Sequence, residues 1–235
     1  DTGFPTERIR FIAGDASLAA IVSMAAFDER LGALDLPLIY LDSAKRDIDM
    51  KPSGPLGREE VAPIVDQACY VLYTSGTTGN PKGVLIEHPS ICNFVQVAAD
   101  RYGYEPGDRV YQGMTIAFDF SIEEIWVPLL VGATLIPGKP GVVLMGDELA
   151  DFLESRDVTC MACCPTLLAT IERDLPKIRF LLVGGEACPQ SLVLRWYSPK
   201  RTILNSYGPT ETTVTATVTE LTPKKQVTIG RPLPN

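Results

Sequence analysis

Short apolar runs alternate with amphipathic stretches along most of this chain. The pattern predicts a helix over 7–14, a strand over 18–22, a helix over 24–33 and a strand over 37–41. Residues 43–66 are polar and rich in Pro and Gly, and read as a linker. Ala68–Tyr73 reads as a buried strand, and a helical pattern runs from about 87 to 101. After Glu105–Asp108 the rhythm becomes regular. Strands are predicted at 109–113, 133–136, 159–163, 179–183 and 202–206, with helices near 121–130, 146–156, 165–173 and 189–197 between them. Such alternation implies an α/β fold, with a parallel sheet carrying helices on both faces. Val214–Glu220 alternates polar and apolar residues and reads as an edge strand.

The chain therefore shows one complete flavodoxin-like layer after about residue 107, preceded by part of another. Between the strand at 68–73 and the helix from 87 lies Thr74–Gly83, TSGTTGNPKG. Glycines let backbone N–H groups approach a ligand, hydroxyls donate and Lys82 adds charge, a composition suited to phosphate. The spacing excludes a Walker loop, because Lys82 is followed by Gly83 and Gly76 lies only three residues before Gly79. The dinucleotide fingerprint is also absent.

Charge and composition narrow the class. The chain has 235 residues, is 46% hydrophobic and carries a net charge of −8. No basic run offers a nucleic-acid surface, and no apolar run reaches membrane-spanning length. Cys160 and Cys163 have metal-like spacing, but residues three apart on a strand point to opposite faces and cannot share one ion. The six cysteines read as reduced core residues of a cytoplasmic protein.

Several segments together resemble the adenylate-forming enzymes. Asp1–Ile9 is DTGFPTERI, Phe118–Ser121 is FDFS, Leu182–Ala187 is LVGGEA, Asn205–Thr213 is NSYGPTETT and Ile229–Asn235 is IGRPLPN. With TSGTTGNPKG they follow that family's motif order across nearly the whole chain. FDFS and NSYGPTETT resemble the adenylation domains of nonribosomal peptide synthetases more than the CoA ligases. The start within a motif, without an initiator Met, suggests a core fragment of a longer chain.

The resemblance implies two flavodoxin-like layers forming an N-terminal core. Residues 1–106 would be a partial first subdomain with the phosphate loop, 107–220 a second with the amino-acid pocket, and 221–235 the lead into a barrel. It implies ATP and Mg²⁺ as cofactors, an amino acid and a peptidyl carrier protein as partners, and a place in peptide-antibiotic synthesis. The family's ribose-binding aspartate, hinge and C-terminal lysine would lie beyond residue 235. The fragment alone is then expected to lack turnover. A non-catalytic substrate-binding subdomain and an acyl- or aryl-CoA ligase fragment are the competing readings.

The implied roles fall on named residues. Thr74, Ser75, Gly76, Thr77, Thr78, Gly79 and Lys82 would hold the β- and γ-phosphates. Gly184, Gly185 and Glu186 would border the adenine, with Asn205, Tyr207 and Gly208 beside it. Thr210 would donate to the α-phosphate and Glu211 would ligate Mg²⁺, a hard ion that prefers oxygen. On residue types alone, a Gly-Pro turn with capping Thr and Glu describes the same segment equally well. Asp119 would bind the α-ammonium group, although a helix N-cap is a plausible role by itself. The pocket would be completed by Phe120, Glu123, Ala162, Leu182, Gly184, Ser206, Val214 and Thr215. A carboxylate at Glu123 among apolar and small residues is costly unless paired, which points to a cationic substrate of lysine or ornithine type. Cysteine-type pockets of the resembling family can also carry this glutamate, and another reading has Glu123 facing solvent with Glu124 or neither lining the pocket.

Overall fold

The structure is a computed structural model that describes residues 3–57, 59–60, 67–75, 81–139 and 141–234. Its contacts divide the chain into two compact units, Asp1–Gln67 with Tyr73–Val84, and Ala68–Leu72 with Leu85–Asn235. The expected boundary lay instead at 106/107.

The first unit begins with α1 (Thr6–Asp15). β1 (Ile21–Ser23) follows, then a 3₁₀ turn at Ala25–Phe27, α2 (Asp28–Leu31) and β2 (Leu38–Tyr40). β1 and β2 pair in parallel, with Val22 opposite Ile39. The helix expected over 24–33 is split at Phe27, whose φ of −105° and ψ of 7° leave the helical region between the 3₁₀ turn and α2. The expected linker contains a short helix, α3 (Lys45–Asp49), with an exposed Lys45–Asp49 pair one turn apart.

β3 (Ala68–Thr74) and β4 (Lys82–Glu87) form a two-stranded ribbon, and the division between the units runs through it. β4 was not anticipated. It makes the glycine-rich segment the connection between two strands rather than a passage from strand to helix. β3 was expected to be buried, but Ala68, Cys69 and Val71 are exposed, because this narrow ribbon leaves one face uncovered.

The second unit carries the core. α4 (His88–Tyr102) has Pro89 in its first turn and ends at Gly103, whose φ of 78° suits glycine. Its buried Ile91, Phe94, Ala98 and Tyr102 recur at helical spacing. There follow β5 (Arg109–Gln112), α5 (Phe120–Leu130), β6 (Thr134–Pro137) and α6 (Gly146–Ser155). β7 (Cys160–Cys163), α7 (Pro165–Ala169), β8 (Phe180–Val183), α8 (Gln190–Trp196) and β9 (Thr202–Tyr207) complete the alternation. β10 (Thr217–Glu220) and β11 (Arg231–Pro232) close the sheet, whose order is β11-β10-β9-β8-β7-β5-β6. Strands β5 to β9 run parallel, while β10 and β11 are antiparallel additions. The parallel α/β layer expected from the sequence is present.

Two details differ. β10 is not an edge, since β11 pairs along it, and it starts late because Thr213 and Val214 both adopt left-handed φ, 64° and 68°. α7 stops at Ala169, where the Thr170 hydroxyl donates back to Leu167 O and accepts the Gly146 N–H.

Strand alternation sorts the side chains. Met161, Cys163, Leu181, Val183 and Ile203 pack with Leu149, Leu153, Leu168, Leu192 and Val193 in the main hydrophobic core. Cys160, Ala162, Phe180, Leu182 and Leu204 alternate with them and so occupy the other face. Cys163 therefore joins that core and Cys160 does not, as opposite faces require. Cys69 and Cys92 are exposed, so the cysteines are not all core residues as expected; all six are free thiols.

Candidate active site

The candidate residues of the second unit lie at or beyond the carboxyl ends of the parallel strands, the end where open α/β sheets bind ligands. β7 and β8 place Ala162 opposite Leu182. Two residues further, Gly184 meets β9: a Cβ added there would fall 2.6 Å from Ser206 Oγ and 3.1 Å from Phe120 Cζ. That approach admits no side chain and draws Gly184, Ser206 and Phe120 together. Gly185 has φ of 78°, and a Cβ added there would fall 3.2 Å from Phe118 Cζ.

α5 supplies the charges. Asp119 stands at its N-terminal boundary, 5% exposed, yet its side chain makes no capping hydrogen bond. Its Oδ2 is buried and lacks a hydrogen-bond partner. Burial raises its pKa, while the Thr210 hydroxyl offsets this and the Glu211 charge adds to it. The structure thus brings Asp119, Thr210 and Glu211 together.

One helical turn on, Glu123 is fully buried. Thr215 Oγ1 donates to its Oε2 at 3.1 Å, and Oε1 has no partner. Burial pushes its pKa up to about 8, against the pull of the Tyr102 and Thr215 hydroxyls and with Asp119 adding to the rise. The solvent-facing alternative for Glu123 is excluded.

The neighbouring Glu124 is equally buried but fully engaged. It accepts the Gly113 N–H at 3.0 Å, the Met114 N–H at 3.1 Å and the Gln112 amide at 3.1 Å. Burial raises it to about 7, offset by these donors. Its role is to fasten the turn after β5.

Val214 and Thr215 are buried beside the left-handed pair Thr213–Val214. Gly208 is required there, since a Cβ would meet Val214 O at 2.5 Å. A cavity of about 350 Å³ opens between Ser90, Asn93, Phe94 and Val97 of α4 and Thr212, Thr213, Thr215 and Ala216. A smaller cleft of about 140 Å³, lined by Leu153, Val158, Leu175 and Ile178, lies at the amino ends of the strands.

Other candidates are held differently. The Glu186 carboxylate accepts from the Thr166 N–H and hydroxyl, anchoring the start of α7. Asn205 donates to Thr228 O at 2.8 Å. Tyr207 is half-exposed at the end of β9, and Glu211 is exposed on the 3₁₀ turn Thr210–Thr212. In the first unit, Thr74 closes β3, Ser75 follows it and the exposed Lys82 opens β4. Gly76, Thr77, Thr78 and Gly79 lie outside the described residues. No group of three or more His, Cys, Asp or Glu among the described residues is arranged to hold a metal.

The profile of one family, AMP-binding enzyme, matches residues 1–235. The chain belongs to that family. It is 39% identical over 235 residues to the delta-poly-L-ornithine synthetase of Acinetobacter baumannii, covering all of this chain and 17% of that protein. It is 33% identical over 237 residues to bacitracin synthase 3 of Bacillus licheniformis, covering all of this chain and 4% of that one. Among solved structures, a four-domain nonribosomal peptide synthetase bound to AMP and glycine matches with a TM-score of 0.79 and 29% identity, over 99% of this chain and 17% of that one. The resemblance to peptide-synthetase adenylation domains is borne out, as is the α/β core. The chain spans a small part of these relatives' length. No described helix is long and apolar enough to cross a membrane.

One polar residue escaped sequence reasoning. Tyr102 lies on α4, outside every motif, and its hydroxyl is buried and unpartnered. A tyrosine at the end of an otherwise apolar helical stripe was the only available signal.

Proposed function

We propose that this chain is the nucleotide- and amino-acid-binding core of a cytoplasmic ligase that activates a cationic amino acid, of lysine or ornithine type, for loading onto a peptidyl carrier protein. The observation that carries this reading is the pair Asp119 and Glu123. They stand four residues apart on one helical face, about 6 Å along the axis, and each retains an unpartnered buried oxygen. That separation suits the two ammonium groups of a short diamino acid. An ornithine polymer synthetase among the relatives supports the same class.

In the reaction a substrate carboxylate oxygen would attack the α-phosphorus of ATP, the new P–O bond forming as the bond to pyrophosphate breaks. Asp119 would hold the α-ammonium and so fix the carboxylate's approach. Thr210 would donate to the α-phosphate. The Gly184–Gly185 edge would lie against the adenine, beside Glu186, Asn205, Tyr207 and Gly208. Thr74 to Gly79 and Lys82 would hold the outer phosphates. Mg²⁺ would neutralise phosphate charge, and the exposed carboxylate of Glu211 suits an ion held by one or two carboxylates plus phosphate.

Amino-acid-dependent pyrophosphate exchange on the intact protein, across the proteinogenic acids plus ornithine, tests this. Ornithine or lysine should give the strongest exchange; preference for leucine or phenylalanine would overturn the substrate class. Lys82→Ala should lower exchange while leaving the melting temperature unchanged, and full activity would remove the loop from the chemistry.

A further inference from the structure

Three oxygens of different origin meet at Glu123. Tyr102, the last residue of α4, is 2% exposed, and α4 packs along α5. Its ring lies 6.5 Å from that of Phe180 in a stacked arrangement, which fixes its direction. The hydroxyl faces Glu123 and Thr215 as hydrogen-bonding neighbours, but no hydrogen bond of good geometry closes on it. Glu123 Oε1 is likewise unpartnered, while Thr215 donates to Oε2 and keeps its own lone pairs.

Resting on the cationic reading of Glu123 above, we infer that Tyr102 is a substrate-selecting residue. Its hydroxyl stands with Glu123 and Thr215 at the far end of the pocket and accepts a hydrogen bond from the substrate's terminal ammonium. An ammonium has three N–H donors and no acceptor, matching one carboxylate oxygen and two hydroxyl oxygens. An apolar side chain of the same length leaves the buried phenol and carboxylate oxygens unpaired, which disfavours it. Tyr104 has a similarly buried and unpartnered hydroxyl, but burial there sets it chiefly against Cys160, Glu123 and Glu124. The interaction with Thr215, whose hydroxyl already engages Glu123, singles out Tyr102.

The test compares ornithine, lysine and the uncharged norvaline and norleucine by pyrophosphate exchange in the intact protein, wild type and Tyr102→Phe. Tyr102→Phe should raise KM for the preferred cationic acid about tenfold, leave kcat nearly unchanged and narrow its preference over the uncharged analogue. KM and the preference ratio do not depend on the fraction of folded protein. The double variant Tyr102→Phe/Glu123→Gln should lose less than the product of the single losses, because both groups serve one ammonium. If the wild type prefers uncharged acids, the cationic reading falls and this inference with it. If the wild type prefers ornithine or lysine and Tyr102→Phe leaves that preference intact, or the losses multiply, the inference alone falls.

Discussion

Glu124 apart, whose carboxylate is saturated by the turn after β5, the two ends of one parallel sheet treat buried charge in opposite ways. At the amino ends, Asp108 precedes β5 and accepts from Arg179 Nε at 2.8 Å, Thr159 Oγ1 at 2.8 Å and the Glu105 N–H at 2.7 Å, with a second Arg179 contact on Oδ2. Burial pushes Asp108 up, but these donors outweigh it and hold the carboxyl below its ordinary range. Arg201, which precedes β9, gives hydrogen bonds to Ile178 O, Trp196 O, Leu175 O and Asp174. At the carboxyl ends, Asp119 and Glu123 keep unpartnered oxygens, and burial raises both. Saturated groups fasten strand to strand. Unsaturated groups weaken the fold unless something binds them, so the polar chemistry of a ligand is written in what the fold leaves unpaired.

The largest expected effect tests the saturated end. Arg179→Ala leaves Asp108 buried without its cation and should cost about 3 kcal/mol by urea denaturation, the low end for a broken buried pair because Arg179 is 33% exposed. A loss under about 1 kcal/mol would mean that saturation there contributes little.

Asp119→Asn should do the reverse. Exchange should fall by about a hundredfold, the scale of a lost charged hydrogen bond, while folding stability holds or rises. A stability loss like that of Arg179→Ala would erase the distinction between the two ends.

The smallest effect concerns protons. In the native state Glu123 titrates near 8, against 4.5 for an ordinary glutamate. Between those values the folded chain binds a proton that the unfolded chain has released, so stability is full below about 4.5 and declines as pH rises to about 8. Glu124 adds a decline of the same sign up to about 7. The groups facing Glu123 are Asp119 on its own helix, Tyr102 and Tyr104 at and beyond the end of α4, and Thr215 before β10. Glu123→Gln should therefore remove about 2 kcal/mol of that decline, a figure discounted from about 1.4 kcal/mol per pKa unit. Identical slopes of melting temperature against pH in variant and wild type would mean that Glu123 is ionised in the fold.

Most of the second unit was legible because its strands are uninterrupted apolar runs punctuated by turns, as in Phe180–Val183 before Gly184-Gly185. Asp119 and Glu123 were singled out through the resemblance of FDFS and its surroundings to the family's motif. β4 was missed because its Lys82-Gly83 start reads as part of the phosphate loop. The helix expected over 24–33 failed because its break at Phe27 falls inside a continuous helical pattern, with no Gly or Pro beside it. Tyr102 was invisible for a different reason. Helical periodicity marks it as core, and only three-dimensional packing shows that its hydroxyl is left unpaired.

Thr213 and Val214 are β-branched, yet both sit in the left-handed region, where such residues lose about 1–2 kcal/mol each. This matters for how the pocket can evolve. Val214 and Thr215 are buried and belong to its proposed wall, so an exchange at 214 would alter backbone energy as well as pocket shape. Glycine at 214 relaxes the chain while emptying the wall, and a bulkier β-branched residue fills it at undiminished strain. New specificities at this position therefore arise along a trade-off in which the gentlest substitutions for the fold are the ones that define the pocket least.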